Sequence, residues 1–312
     1  MNLFQSASNF GSSVDAILWA LLGICGLVTV IVAFLVIVFC VIYRQGSPAS
    51  REPAKLSQMK IEIAWTVIPL LIFLALFIWA AVVYFQMARP PADALEIRVV
   101  AKQWMWKVQH PGGQREIDEL HIPVGRPVEL IMISQDVIHS FYVPAFRTKQ
   151  DVLPGRYTRE WFTPTKVGRY HLFCAEYCGT NHSAMTGWVD VMQPADYAAW
   201  LAARPQAESM VAEGQHLFTS LGCSGCHSEQ SRVPAPLLVG LAGHPVGLSD
   251  GSTMIADDTY LRDSILLPNK QIVGGFQPVM PTFQGQLSEE QVMELVAYIK
   301  SLGDRNETPA AP

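Results

Sequence analysis

The chain has 312 residues, a formal net charge of −5, and a composition that is 50% hydrophobic but only 16% charged. That length allows about two domains, and so little charge points to a membrane-embedded part. The acidic balance excludes nucleic acid as a partner and mildly favours basic ones.

Two uncharged apolar runs come first, at about residues 17–43 and 63–85. Each exceeds the ~20 residues that cross a hydrocarbon core. The first lacks a basic leader and is too long for a signal-peptide core of ~7–15 residues. Pro69 near the start of the second is tolerable in a membrane helix. Trp65, Trp79 and Tyr84 suit the interface. Cys25 and Cys40 fall in the first run and read as small packed or lipid-facing residues. The short connection carries Arg44, Arg51, Lys55 and Lys60, whereas no Lys or Arg precedes the first run. The positive-inside rule puts that loop in the cytoplasm. Residues 1–92 are therefore an N-terminal segment plus a two-helix transmembrane hairpin. Both termini and everything beyond about residue 88 lie on the periplasmic or outer face of a bacterial cytoplasmic membrane. Glu62, in Lys60-Ile-Glu-Ile-Ala-Trp65, stands at the cytoplasmic edge of the second span. It is either an interfacial carboxylate or an edge acid on a proton route.

Residues 93–193 carry the signals of an all-β domain. Leu95-Glu-Ile-Arg-Val-Val alternates, Pro111-Gly-Gly marks a turn, and Val128–Ile133, Arg169–Phe173 and Gly187–Met192 read as strands. His139 stands in one further strand-like run. Beyond it, Cys174-Ala-Glu-Tyr-Cys178-Gly-Thr-Asn-His182-Ser-Ala-Met185 gathers two thiols, an imidazole and a thioether within twelve residues. These soft ligands favour copper over magnesium, calcium or manganese. Zinc accepts Cys and His but has little use for Met. A CxxxC disulfide is the other reading of the thiols. Two thiolates can also bridge two metals.

Cys174-x-Glu176-x-Cys178-Gly-x-Asn-His182-Ser-x-Met185, with His139-Ser-Phe upstream, resembles the dinuclear CuA site of cytochrome c oxidase subunit II. The resemblance implies a cupredoxin-like sandwich. It implies that Cys174 and Cys178 bridge two coppers. It assigns His139 and Met185 to one copper, and His182 with the Glu176 carbonyl to the other. The Glu176 side chain is then a candidate ligand of a magnesium shared with subunit I. Gln103-Trp104-Met105-Trp106 resembles the aromatic segment of this family, which implies an electron-transfer role for Trp104. Met105 departs from the aromatic common there, and Trp106 reads as structure. The resemblance matches Glu62 to the mouth of a proton channel of subunit I, and Asp136 and Asp151 to acids that dock a soluble donor.

Residues 194–206 read as a linker opening with a short amphipathic helix. A second exported domain covers 207–303, and 304–312 read as a disordered tail. Cys223-Ser-Gly-Cys226-His227 is a haem c attachment signal, with His227 as proximal ligand. A thioredoxin-like CxxC is the rival, without a βαβ pattern to support it. Ser288-x-x-Gln291 is a capping box. Val292, Leu295, Val296 and Ile299 line one helical face until Gly303. This layout resembles a small α-helical class I cytochrome c. Met254, Met280, Met293 and His244 are the candidates for the sixth haem ligand. Met280, in the Pro-flanked loop Pro278-Val-Met-Pro281, matches the family's axial loop. His110, His121, His171 and His216 read as surface or satisfied core residues.

The expected protein is thus the subunit through which electrons enter a terminal respiratory oxidase. Its implied partners are subunits I and III, membrane lipid, and a cytochrome c or another small external donor. Dioxygen is reduced to water in subunit I, with proton pumping. The alternatives are a membrane-anchored carrier tied to no oxidase and a CuA-containing nitrogen-oxide reductase component.

Overall fold

The computed structural model describes residues 6–50, 58–203, 209–228, 231 and 233–303. Arg51 and Lys55 of the connecting loop, residues 204–206 of the expected linker and the tail 304–312 lie outside the described residues. The chain forms two compact units, residues 1–90 with 145–147, and residues 91–144 with 148–312.

The first unit contains helices α1 (Gly11–Ile42) and α2 (Gln58–Met87). Both are long and apolar enough to cross a membrane. Their large side chains, Phe34, Ile37, Phe73 and Phe77 among them, stand exposed. A helix apolar on every side needs an apolar surrounding, and here lipid supplies it. Each helix starts several residues before its apolar run, because nothing in Gly11–Ala16 or Gln58–Glu62 breaks a helix. Pro69 lies inside α2. Glu62 is exposed in the opening turns of α2, where Thr66 Oγ1 donates to its carbonyl at 2.8 Å.

The second unit starts with ten strands. They are β1 (Leu95–Lys102), β2 (Met105–Gln109), β3 (Arg115–Ile117), β4 (Glu119–Pro123), β5 (Val128–Ser134), β6 (His139–Val143), β7 (Thr148–Val152), β8 (Thr158–Phe162), β9 (Gly168–Cys174) and β10 (Thr186–Met192). They make two sheets, ordered β3-β2-β1-β5-β8 and β4-β10-β9-β6-β7. Pairs β1/β5 and β4/β10 are parallel and the others antiparallel. The core between the sheets holds Ile97, Val99, Trp106, Leu130, Phe141 and Leu172, each fully buried. This is a cupredoxin-like sandwich.

Helix α3 (Pro194–Ala203) occupies most of the expected linker, and it packs on the sandwich. Trp200 stacks on His121, ring centroids 4.6 Å apart, and meets His110 edge-on at 5.1 Å. Tyr197 OH and His110 Nδ1 are 3.0 Å apart. Beneath them Glu116 accepts from His110 Nε2 at 2.7 Å, from the His121 ring, and from the His121 backbone N–H at 3.0 Å. Burial alone raises the Glu116 carboxyl, but these hydrogen bonds prevail and hold it at about 2 against an ordinary 4.5. Its stabilisation is therefore complete above pH ~4.5 and fades as pH falls towards ~2, a change of about 3 kcal/mol. Thermal melts of the detergent-solubilised protein between pH 5 and 2.5 should show this loss. Glu116→Gln should start lower and vary less over that window.

The haem-signature domain follows with α4 (Met210–Ser220), α5 (Ser224–His227), a short ribbon of β11 (Pro245–Gly247) and β12 (Thr253–Ile255), α6 (Asp258–Leu266) and α7 (Glu289–Ser301). The Ser288/Gln291 capping box that starts α7 is complete. Helix α4 crosses α7 at Gly214, where a Cβ would lie 2.0 Å from the Glu294 carbonyl oxygen. Glycine there permits the backbones to touch. Val292, Leu295, Val296 and Ile299 face the domain's own core with Phe218, Tyr260 and Leu261.

The other side of α7 is also buried. Met293 (α7) and Met210 (α4) cluster with Val100 (β1), Ile131 and Ile133 (β5) and Tyr157 of the sandwich. An ionic frame surrounds this patch. Asp258 meets Arg98 at 3.4 Å and Arg159 at 3.3 Å. Glu294 meets Arg115 at 2.7 Å, Glu290 meets Lys107 at 2.7 Å, and Arg262 donates to Gly155 O at 3.2 Å. The α-helical domain thus forms an outer layer on the β3-β2-β1-β5-β8 sheet. It also explains strand β5, buried at all seven positions. Leu130-Ile-Met-Ile133 does not alternate because both of its faces are covered.

Candidate metal centre

The candidate metal-ligand side chains are gathered by strand register and one loop. Phe141 on β6 pairs with Cys174 on β9. His139 lies two residues before Phe141, on the same face, so it is the diagonal neighbour of Cys174. Its Nδ1 is 3.9 Å from Cys174 Sγ. The loop from β9 to β10 then folds back on itself. Cys174 N donates to Met185 O at 3.1 Å, Met185 N to His182 O at 3.2 Å, and His182 N to Gly179 O at 3.0 Å. The outcome is a compact soft-donor shell. The two Sγ atoms are 3.8 Å apart, too far for the ~2.05 Å bond of a disulfide. Cys178 Sγ is 3.5 Å from His182 Nδ1 and 3.9 Å from Met185 Sδ. The Glu176 carbonyl lies 3.3 Å from Cys174 Sγ. His139 and Met185 are fully buried, and both thiols nearly so. The Glu176 side chain is exposed.

The electrostatics fit a cationic occupant. Burial opposes ionisation of Cys174, but the neighbouring His139 prevails and draws that thiol down to about 6. Burial and the adjacent Cys174 push Cys178 up to about 12. Two thiolates so close are stable together only with positive charge between them. Two thiolates, two imidazoles, a thioether and a carbonyl suit copper. No oxygen-rich cage for a hard cation is present among these groups.

Several supporting residues are not evident in the chain order. Asp136 does not stand free as a docking acid. Its Oδ1 lies 2.8 Å from His139 Nε2 and accepts from Val137 N at 2.7 Å, while Oδ2 accepts from Gln103 N at 2.7 Å. Burial raises the Asp136 carboxyl, and these bonds outweigh it, so it sits below the usual carboxylate range. A carboxylate behind a ligating His fixes the ring and strengthens its donor nitrogen. Asp151, the other acid, accepts from Ser140 Oγ and from Lys149 Nζ, both at 2.8 Å. Trp106, fully buried, meets His139 edge-on at 6.1 Å and Phe141 at 5.2 Å. Half-buried Trp104 donates from Nε1 to Cys178 O at 3.3 Å, beside Gln103 Nε2 at 2.7 Å. Gly179, at φ 117°, makes room for this contact, because a Cβ would lie 3.2 Å from the Trp104 ring. The Gly after Cys178 was the available signal for that close approach.

In the α-helical domain Cys223, Cys226, His227 and Met280 line one cavity of about 1160 Å³, with Phe218, Leu295 and Ile299 among its apolar walls. His227 Nδ1 donates to Pro236 O at 2.9 Å. That bond orients the ring and leaves Nε2 free to ligate a metal. Gln271 Oε1, on the cavity wall, is buried without a partner. Mostly apolar walls, two thiols, an oriented imidazole and the orphan polar atoms of Gln271 and Ser264 fit a macrocycle. Of the other axial candidates, Met293 is buried against the sandwich and Met254 is not among the lining residues. His244 lines the cavity, but its Nδ1 bonds to Ala242 O at 3.1 Å. If Cys223 and Cys226 hold a haem and Met280 ligates it, Met280→Ala should leave the haem attached and open its sixth position. A high-spin spectrum should result, with a potential lower by on the order of 0.1 V, a fraction of the ~0.8 V that axial ligands span. An unchanged low-spin spectrum would transfer the role to His244.

Comparison with known proteins divides the chain in the same way. Residues 1–83 match the model of the cytochrome c oxidase subunit II transmembrane domain, residues 111–192 that of its periplasmic domain, and residues 211–303 that of cytochrome c. The alternative cytochrome c oxidase subunit 2 of Bradyrhizobium diazoefficiens is 35% identical over 38% of this chain and 54% of its own, about half the relative's length. The probable cytochrome c oxidase subunit 2 of Rickettsia bellii is 30% identical over 57% of this chain and 74% of its own. The cytochrome c oxidase subunit 2 of Alkalihalophilus pseudofirmus is 26% identical over 88% and 83%. The crystal structure of the periplasmic domain of subunit II of the Bradyrhizobium japonicum oxidase matches 36% of this chain and 95% of its own, at 29% identity and a TM-score of 0.35.

Proposed function

The chain belongs to the cytochrome c oxidase subunit II family, and from that membership we propose that it is the subunit through which electrons enter a terminal oxidase. It is an oxidoreductase component, membrane-anchored, with a cytochrome c domain fused after the copper-type domain. The observation that carries the proposal is the pairing, in one chain, of a two-thiol soft-donor shell with a cavity holding Cys223, Cys226 and His227. A donor shell alone would suit a simple copper carrier. The cavity alone would suit a cytochrome.

When bound, the copper pair and the haem supply reversible one-electron chemistry. The chain's own residues hold, orient and shield them. Cys174 and Cys178 would hold the copper pair between them, with His139, Met185, His182 and the Glu176 carbonyl as the remaining ligands. Asp136 keeps the His139 ring in place and Trp106 excludes water behind it. Trp104, seated on the Cys178 carbonyl, is the aromatic cover of the site. His227 and Met280 would ligate the haem iron, and Cys223 and Cys226 would hold the haem through their thiols. An external cytochrome c or similar small donor delivers electrons to the haem domain, and the copper end passes them to subunit I. Subunit I, with subunit III beside it, reduces dioxygen and pumps protons across the bacterial inner membrane. The exposed Glu176 side chain would be available as a ligand of a magnesium shared with subunit I. Both termini and the redox domains face the periplasm.

Purification from membranes in mild detergent tests this reading. It predicts two coppers and one covalent haem per chain, together with a many-helix haem-bearing partner. Isolation without such a partner would favour a free carrier. Glu62 is proposed to stand at the mouth of a proton route of subunit I. Glu62→Gln should slow oxygen consumption while copper and haem content stay normal. Unchanged turnover would leave Glu62 an interfacial carboxylate.

A further inference from the structure

Helix α7 faces two sites at once. Leu295 and Ile299 line the haem-type cavity. Glu290, in its first turn, reaches the sandwich, where Oε1 takes Lys107 Nζ at 2.7 Å and Oε2 accepts from Gln135 Nε2 at 2.8 Å. Gln135 is anchored at the end of β5, its backbone N donating to Ala101 O at 2.9 Å. The next residue is Asp136, whose carboxylate lies 2.8 Å from His139 Nε2. One side chain of the α-helical domain is therefore a single residue away from the carboxylate behind a copper-type ligand. Around it, Met293 and Met210 pack on Val100, Ile131 and Ile133, and Glu294 and Asp258 engage Arg115, Arg98 and Arg159. These contacts set the height of α7 over the 134–136 turn, so Glu290 meets Gln135 at a defined place.

We propose that Glu290 is a positioning residue: through Gln135 it sets the Asp136–His139 hydrogen bond, so the α-helical domain tunes the copper-site histidine against which it is packed. The chemistry is that of an outer hydrogen-bond shell. A carboxylate accepting from a ligating imidazole raises the donor strength of the ring and fixes its angle. A shift of the 134–136 turn alters both. This inference rests on the copper reading of His139, Cys174 and Cys178.

The experiment uses the intact, metal-loaded oxidase. In Glu290→Ala the histidine nitrogen coupling seen by electron–nuclear double resonance should change. Haem-to-copper transfer after flash reduction should slow by about threefold to tenfold, less than the ~10–100-fold of a residue bonded directly to a ligand. Gln135→Ala should reproduce both changes. Glu290→Gln, which still accepts from Gln135 Nε2, should restore them, and Lys107→Ala should leave the nitrogen coupling intact. An unchanged coupling in both Glu290→Ala and Gln135→Ala overturns the proposal. So does an equal change in Lys107→Ala, which would make Glu290 a docking contact alone. If Glu290→Ala loses its metals through misfolding, Gln135→Ala and Glu290→Gln decide on their own. Wild-type protein without a two-copper signal would instead overturn the copper reading, a separate failure.

Discussion

Cys178→Ser should abolish the two-copper signature while the covalent haem stays in place. The wild-type protein should show one unpaired electron shared over two copper nuclei, as a many-line hyperfine pattern in its EPR spectrum. The reason is the central position of Cys178, with Cys174 Sγ at 3.8 Å, His182 Nδ1 at 3.5 Å and Met185 Sδ at 3.9 Å. A serine oxygen is harder, ionises far less readily and is a poor bridge between soft cations. Loss of an outer hydrogen-bond partner costs ~10–100-fold in metal affinity or activity, so loss of a bridging thiolate should cost on the order of 10²-fold or more in turnover. Haem content should be unaffected, because Cys223, Cys226 and His227 line a separate cavity. A four-line mononuclear spectrum in the wild type, with one copper per haem, would refute the dinuclear assignment.

His227→Ala should remove most donor-driven oxygen consumption, a loss also on the order of 10²-fold, with both coppers retained. The His227 ring is oriented by its Nδ1 bond to Pro236 O at 2.9 Å, whereas His244, the other imidazole on the cavity wall, has its Nδ1 bonded to Ala242 O. The effect is large only if electrons enter through the α-helical domain. A flexible tether would hold that domain near the copper end at about millimolar effective concentration. Here the contact is firmer. Met293, Glu290 and Glu294 are packed into the sandwich, so the proposed transfer within the chain would need no docking step. A diffusing donor would deliver to the α-helical domain. Flash reduction should accordingly reduce haem before copper. Copper reduced first, or turnover in His227→Ala equal to wild type, would place the electron port elsewhere.

Much of the chemistry was legible in the chain because it is local. Cys174, Cys178, His182 and Met185 fall within one loop, and Cys223, Cys226 and His227 within one helical turn. Such spacings survive any packing. The membrane helices were equally plain, since two long runs without charge have no other stable surroundings. The ends of α1 and α2 were less plain, because the residues flanking the apolar runs are themselves competent to be helical.

The sequence by itself determined which candidate ligands are present, which segments are apolar enough to span lipid, and that a β domain precedes a helical one. Only the tertiary structure decided how the two exported domains combine. On the sequence, Arg98, Glu290 and Glu294 look like the solvated faces of a strand and a helix, and Met293 like ordinary helix core. In the fold, Arg98 and Glu294 are at most 5% exposed, and Met293 lies between a helix and a sheet. Periodicity shows that a face is polar, but not whether another charged face neutralises it. That depends on which surfaces meet, through residues such as Arg98 and Asp258, 160 positions apart. Asp136 carries the same lesson at shorter range. Three residues before His139 an acid can point to solvent or to the ring, and the 134–136 turn, held by Ala101 and Gln103 of another strand and loop, turns it to the ring.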